Sequence, residues 1–361
     1  MAGSQSPSSP PDLTGAFPFM SIRAFICGCA GFEFSEDERR FIAEASPWGL
    51  ILFRRNVESP AQVAALTRSF REIVGRADAP VLVDQEGGRV QRLGPPHWPA
   101  YPAAARFDRL PVSQDRKTEL ARLSARLMGE DLRACGIDVD CLPVLDVPAP
   151  GGHSVIGDRA YGLTPETVAR LGAAVAEGLM QARVLPVMKH VPGHGRAGAD
   201  SHFELPRVSA SLADLEASDF APFRALSHLP MAMTAHVVYE ALDPSGPATT
   251  SRKVVQEIIR GAIGFDGLLM SDDLSMKALS GSFTQRCAAL FGAGVDMALH
   301  CNGVLSEARE VAQASPFLSG KAEERAQKAL ALIASPKGVA VAALSPVDAR
   351  AELESALAMG A

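Results

Sequence analysis

The chain has 361 residues, 47% of them hydrophobic, and carries 35 basic against 41 acidic residues for a formal net charge of −6. That length suits two average domains or one large α/β barrel. The acidic balance, without any Lys/Arg run, argues against an electrostatic footprint for nucleic acid or an anionic membrane and leaves small polar or neutral ligands.

Residues 1–18 are rich in Ser, Pro and Gly and have neither a basic n-region nor an apolar h-region. They are expected to form a disordered tail and not a secretory signal. Charges or Gly/Pro interrupt every apolar stretch before it reaches bilayer length, so a soluble protein is expected. The six cysteines, Cys27, Cys29, Cys135, Cys141, Cys287 and Cys301, lack the paired spacing of a zinc site and read as buried free thiols.

From residue 20 to 335 short apolar runs alternate with longer amphipathic stretches, the pattern of repeated βα units. The predicted strands are 24–29, 49–53, 80–83, 139–145, 185–188, 231–235, 268–270 and 297–299. Predicted helices between them cover 35–45, 60–74, 118–134, 165–181, 212–226, 251–261 and 283–292. Ser35 before Glu36 and Asp37, Ser59 before Pro60, and Thr164 before Pro165 and Glu166 supply N-terminal caps.

Polar residues follow most of these runs: Arg54 to Asn56, Asp84 to Glu86, Asp146, Lys189 and His190, His236, Asp272 and Asp273, and His300 with Asn302. In a closed (β/α)8 barrel all those ends meet at one mouth, where such folds hold their sites. An open doubly wound sheet would gather only some of them, and Cys27-Gly28-Cys29-Ala30-Gly31 is not a dinucleotide-binding loop. The fold class read from the sequence is therefore α/β, a single (β/α)8 TIM barrel over 19–340, with a helical tail at 341–361.

Three segments carry candidate chemistry. Asp84 lies among Glu86, Arg89 and Arg92 around a glycine pair; the segment is either a solvated turn or a carboxylate for vicinal hydroxyls with an arginine to keep it ionised. Asp272 and Asp273 follow Leu268 to Ser271, so neighbouring side chains on an extended strand would send one carboxylate to the barrel axis and leave the other to cap the next helix. The third segment is Lys189-His190-Val191-Pro192-Gly193-His194-Gly195, followed by Asp200-Ser201-His202. An Asp two residues before His202 can fix its tautomer and raise the basicity of the outer nitrogen, and the surrounding glycines imply a mobile loop. Metal binding is the rival reading of this histidine cluster, but Pro192 and Gly193 break the helix that an i, i+4 pair would need, and no metal or cofactor is expected.

Together these residues resemble glycoside hydrolase family 3, and within it the compact bacterial β-N-acetylhexosaminidases of peptidoglycan recycling. The resemblance spans 24–302 and rests on Ile51 to Asn56, Val83 to Arg92, Pro143 to Asp146, Ile156 to Gly162, Lys189 to Gly195, Asp200 to His202 and Ser271 to Met276, in the family's order. It implies Asp272 as nucleophile, His202 oriented by Asp200 as general acid/base, and Asp84, Arg92, Arg159, Lys189 and His190 as holders of the terminal N-acetylglucosamine. It further implies a monomeric cytoplasmic enzyme that takes a saccharide or muropeptide and no nucleic acid or membrane, acting on 1,6-anhydro-N-acetylmuramic acid muropeptides with retention of configuration. A β-glucosidase, a phosphorolytic N-acetylglucosaminidase and a non-catalytic sugar-binding barrel are the alternatives.

Overall fold

A computed structural model of the protein describes residues 22–149, 154–201, 203–334 and 345–359. The expected N-terminal tail and His202 lie outside the described residues.

Eight parallel strands close a barrel in sequence order: β1 (Arg23–Cys27), β2 (Pro47–Leu52), β3 (Val81–Val83), β4 (Val139–Asp140), β5 (Leu185–Val191), β6 (Met231–Thr234), β7 (Leu268–Asp273) and β8 (Met297–His300). Each pairs with the next, and β8 closes on β1 through Phe25 to Cys27. Alternation along the strands separates two cores. Ile26, Leu82, Val139, Val187, Met233, Met270 and Leu299 fill the barrel interior, while Phe25, Val81, Val83 and Met188 pack outward. Every strand thus loses water from both faces, which explains near-continuous apolar runs in the sequence. All six cysteines are free and buried in these cores.

The outer helices Glu36–Ala45, Pro60–Val74 and Pro165–Gln181 start at the caps read from the sequence: Ser35, Ser59 and Thr164 each accept from the third helical amide. Such a cap contributes about 1 kcal/mol. Three elements differ from expectation. The regular ladder of β4 stops after Asp140, short of the predicted 145, although the Leu142 and Pro143 carbonyls still accept from the Val187 and Lys189 amides, at 2.9 and 3.0 Å, and Val144 bridges Lys189. The fifth and sixth predicted helices contain π segments, Leu215–Asp219 and Val254–Ala262, which widen the turn without leaving a periodicity signal. In the C-terminal region, helix Pro346–Ala358 docks on helix Gln114–Ala134, with Arg350 Nη2 2.6 Å from Asp131 Oδ1 and Arg116 Nη2 2.5 Å from Glu352 Oε1. Among the described residues no helix is long and apolar enough to cross a membrane.

Candidate active site

The carboxyl ends of β3, β4, β5 and β7 open into one cavity of about 280 Å³. Asp84, Arg92, Arg159, Lys189, His190, Asp200 and Asp272 all line it. The structure thus brings together every candidate residue it describes, with Glu86, Arg89, His194 and Ser201 beside them.

One wall is an alternating row of charges. Arg92 Nη2 lies 3.0 Å from Asp84 Oδ2, Asp84 Oδ1 is 2.8 Å from Lys189 Nζ, and Lys189 Nζ is 2.7 Å from Glu86 Oε1. Glu86 in turn takes both arms of the Arg159 fork, at 2.7 Å from Nε and 2.8 Å from Nη2. Burial alone would raise both carboxyl pKa values, but the neighbouring cations overcome it. Asp84 is held well below the usual range, chiefly by Lys189 and Arg92, and Glu86 falls to about 2 through Lys189 and Arg159. Lys189 is buried too, yet the two carboxylates raise its pKa and keep it charged. All five groups are therefore ionised at neutral pH. Such a row presents fixed donors and acceptors to hydroxyls without needing to reorganise.

The geometry comes from extended backbone. Asp84 and Glu86 are two residues apart and face the same way, while Gln85 turns into the protein. There its Oε1 accepts from the amides of Arg92 and Leu93, at 2.9 and 3.0 Å, and its Nε2 donates to the Leu93 carbonyl at 2.8 Å. These bonds fold the chain back and return Arg92 to Asp84. Sequence reading singled out Asp84 but not Glu86; the i, i+2 spacing was the signal.

A second buried group sits at the ends of β4 and β5. His190 Nδ1 is 2.7 Å from Asp146 Oδ2, and Asp146 Oδ1 accepts from the amides of His190 and His194 at 3.2 and 2.7 Å. Burial opposes the charge on Asp146, but His190 and these amides bring its pKa down to about 2. An ionised Asp146 orients His190 Nδ1–H and leaves Nε2 for the cavity. His194 is neutral, its pKa lowered to about 4 by burial and by His190. The Lys189–His190 peptide is cis, and the pairing of β5 with β6 shifts register there.

On β7, Asp272 Oδ1 accepts from the amide of Asp273 at 2.8 Å. Asp273 also lines the cavity, but its carboxylate is engaged with backbone: its Oδ1 accepts from the amides of Ser275 and Cys301, both at 3.0 Å. The two adjacent carboxylates do divide their duties, with one correction. Asp273 ties a turn and not a helix start, since the following helix, Phe283–Ala293, is capped by Ser282.

The loop after β5 is anchored on both sides. Gly195 passes so close to the Val147 carbonyl that an added Cβ would sit 1.9 Å from its oxygen, which explains a glycine there. Ser201 Oγ is 3.3 Å from His194 Nε2, and its carbonyl accepts from the Ala278 amide at 3.3 Å. The Asp200 carbonyl accepts from the amides of Phe203 and Glu204, at 3.0 and 3.2 Å. Among the described residues, no group of three or more His, Cys, Asp or Glu is arranged to hold a metal ion.

The family description that matches this chain is the glycosyl hydrolase family 3 N terminal domain, over residues 20–333. The chain belongs to glycosyl hydrolase family 3. A curated relative named beta-hexosaminidase, from Alkalilimnicola ehrlichii, is 41% identical over 78% of this chain and 82% of its own length. NagZ from Neisseria gonorrhoeae, solved in complex with N-trifluoroacetyl-D-glucosamine, superposes with a TM-score of 0.80 at 31% identity, covering 94% of this chain and 97% of that one. A family 3 beta-N-acetylglucosaminidase from Paenibacillus sp. also gives 0.80, at 32% identity over 92% of this chain; the match spans only 66% of that longer protein. The family 3 barrel accounts for the convergence of β3, β4, β5 and β7 on one cavity.

Proposed function

We propose that this chain is a retaining exo-β-N-acetylglucosaminidase that removes terminal N-acetylglucosamine from 1,6-anhydro-N-acetylmuramic acid muropeptides. The reading includes a monomeric cytoplasmic enzyme that needs no metal or cofactor and serves cell-wall recycling. The observation that carries it is the ionised row Arg92–Asp84–Lys189–Glu86–Arg159 lining the same cavity of about 280 Å³ as Asp272. That volume suits one sugar ring, the row offers partners for its hydroxyls, and the Asp272 carboxylate lines the same cavity. The relatives' names support the 2-acetamido sugar, and the anhydromuramoyl aglycone is inherited from the family resemblance.

In this account Asp272 attacks the anomeric carbon and forms a glycosyl ester as the glycosidic C–O bond breaks through an oxocarbenium-like state. His202, oriented by Asp200, gives its proton to the departing oxygen. Water then attacks the anomeric carbon, His202 takes the water proton, and Asp272 leaves as a carboxylate as its bond to that carbon breaks. Asp84, Arg92, Arg159, Lys189 and His190 hold the sugar throughout, with Glu86 and Asp146 keeping the cations and the imidazole in place.

The test is proton NMR of the reaction with N-acetylglucosaminyl-1,6-anhydro-N-acetylmuramic acid, alongside cellobiose. Early appearance of β-N-acetylglucosamine, and no glucose from cellobiose, is the expected result. The α-anomer appearing first would contradict retention, and comparable cleavage of cellobiose would favour the glucosidase.

A further inference from the structure

Behind the wall that carries Asp272 runs a buried polar chain with no role in the chemistry above. His236, just beyond β6, is fully buried. Its Nδ1 is 2.7 Å from Thr249 Oγ1, and its Nε2 is 3.1 Å from the carbonyl oxygen of Asp273. Thr249 Oγ1 is also 2.7 Å from Thr234 Oγ1 and 3.1 Å from the Ala235 carbonyl.

Hydrogen-bond balance fixes the protons. A carbonyl oxygen only accepts, so the contact with Asp273 requires a hydrogen on Nε2. Burial lowers the pKa of His236 despite the nearby Asp272, so the ring is neutral and carries that one hydrogen. Nδ1 then accepts from the Thr249 hydroxyl, whose oxygen accepts from Thr234; the single Thr249 hydrogen goes to Nδ1 at 2.7 Å in preference to the Ala235 carbonyl at 3.1 Å. Hydrogen bonds thus run one way, from Thr234 through Thr249 and His236 to the Asp273 carbonyl.

That carbonyl matters because regular sheet pairing lapses there: β7 and β8 slip register between Met270 and Asp273. Asp273 is fixed by other means, through its carbonyl to His236 and through its carboxylate to Cys301 and Ser275. Its amide in turn holds Asp272 Oδ1 at 2.8 Å. His236 itself is not one of the residues lining the cavity.

We infer that His236 is a positioning residue: held in the Nε2–H tautomer by Thr249 and Thr234, it fixes the Asp273 backbone through its carbonyl, and with it the adjoining Asp273 amide that aims the Asp272 carboxylate at the anomeric carbon. This rests on Asp272 being the nucleophile. A misplacement of about 1 Å at a reacting group can cost on the order of 100-fold in rate.

The test compares wild type, His236→Leu, His236→Gln, Thr249→Val and Asp272→Asn by turnover of an aryl N-acetyl-β-glucosaminide and by calorimetric titration with N-acetylglucosamine. Leucine removes both nitrogens, whereas the glutamine amide can donate from a position near Nε2. His236→Leu should lose about 30-fold or more in kcat while binding N-acetylglucosamine within about threefold of wild type. His236→Gln should recover most of that loss, and Thr249→Val should lose about fivefold in kcat at unchanged KM. Wild-type kcat in His236→Leu, a glutamine variant no better than leucine, or sugar affinity lost in parallel with kcat would overturn the inference. If His236→Leu does not fold, an unchanged kcat in Thr249→Val overturns it. The Asp272→Asn arm separates the two ideas, since turnover there removes the nucleophile assignment, while its absence beside a normal His236→Leu removes the positioning role alone.

Discussion

Glu86 is 5% exposed, accepts two hydrogen bonds from Arg159 and forms an ion pair with Lys189 at 2.7 Å. Glu86→Gln keeps its shape but puts an amide NH2 against one of two buried cations, leaving a charge without its counter-ion. The cost follows from linkage. Glu86 ordinarily titrates at 4.5 and here at about 2, a difference worth about 3 kcal/mol to the folded state. Because the folded value is the lower one, that stability is fully present above pH 4.5 and is lost as the pH falls toward 2. Urea unfolding of wild type and Glu86→Gln should therefore differ by about 3 kcal/mol at pH 7, with the gap narrowing to less than half of that by pH 3. Arg159, released from its fork, should also raise KM for an aryl N-acetyl-β-glucosaminide by about tenfold or more. A gap under about 1 kcal/mol at pH 7, or one that does not change between pH 7 and pH 3, would refute the coupled charge row.

Asp146→Asn should leave His190 without its ionised acceptor, raise KM at least about tenfold and cost about 1–3 kcal/mol of stability; unchanged KM would show that Asp146 does not orient His190. His202→Ala should lose far more on a natural disaccharide than on an activated aryl glycoside, which needs little protonation of its leaving group, so equal losses on both would count against the acid role. Gly195→Ala should push the loop from the Val147 carbonyl and lower kcat with a smaller effect on global unfolding; wild-type kinetics would show that the close approach has no bearing on turnover.

The barrel was legible because both faces of every strand are buried, which turns each βα unit into an apolar run followed by an amphipathic stretch. The π segments at Leu215–Asp219 and Val254–Ala262 were not, since one widened turn barely moves the apolar stripe. Within the site, residues carried on one segment could be read in part by strand alternation, although Asp272 and Asp273 both line the cavity and Asp273 caps no helix. Glu86 followed the same rule but was overlooked, because an acid beside a glycine pair looks like exposed turn. Asp146 and His236 appear in the sequence only as polar strand ends. Their partners, His190 and the Asp273 carbonyl, lie 44 and 37 residues further along and meet them only when neighbouring barrel strands align.

The central claim is that Asp272 carries the chemistry of a metal-independent hexosaminidase. Turnover of an aryl N-acetyl-β-glucosaminide by wild type and Asp272→Asn, side by side with chelator present, tests it most directly. The account predicts cleavage by the wild type alone, with N-acetylglucosamine still bound by the variant. Cleavage surviving in Asp272→Asn, or wild-type activity abolished by the chelator, would contradict it.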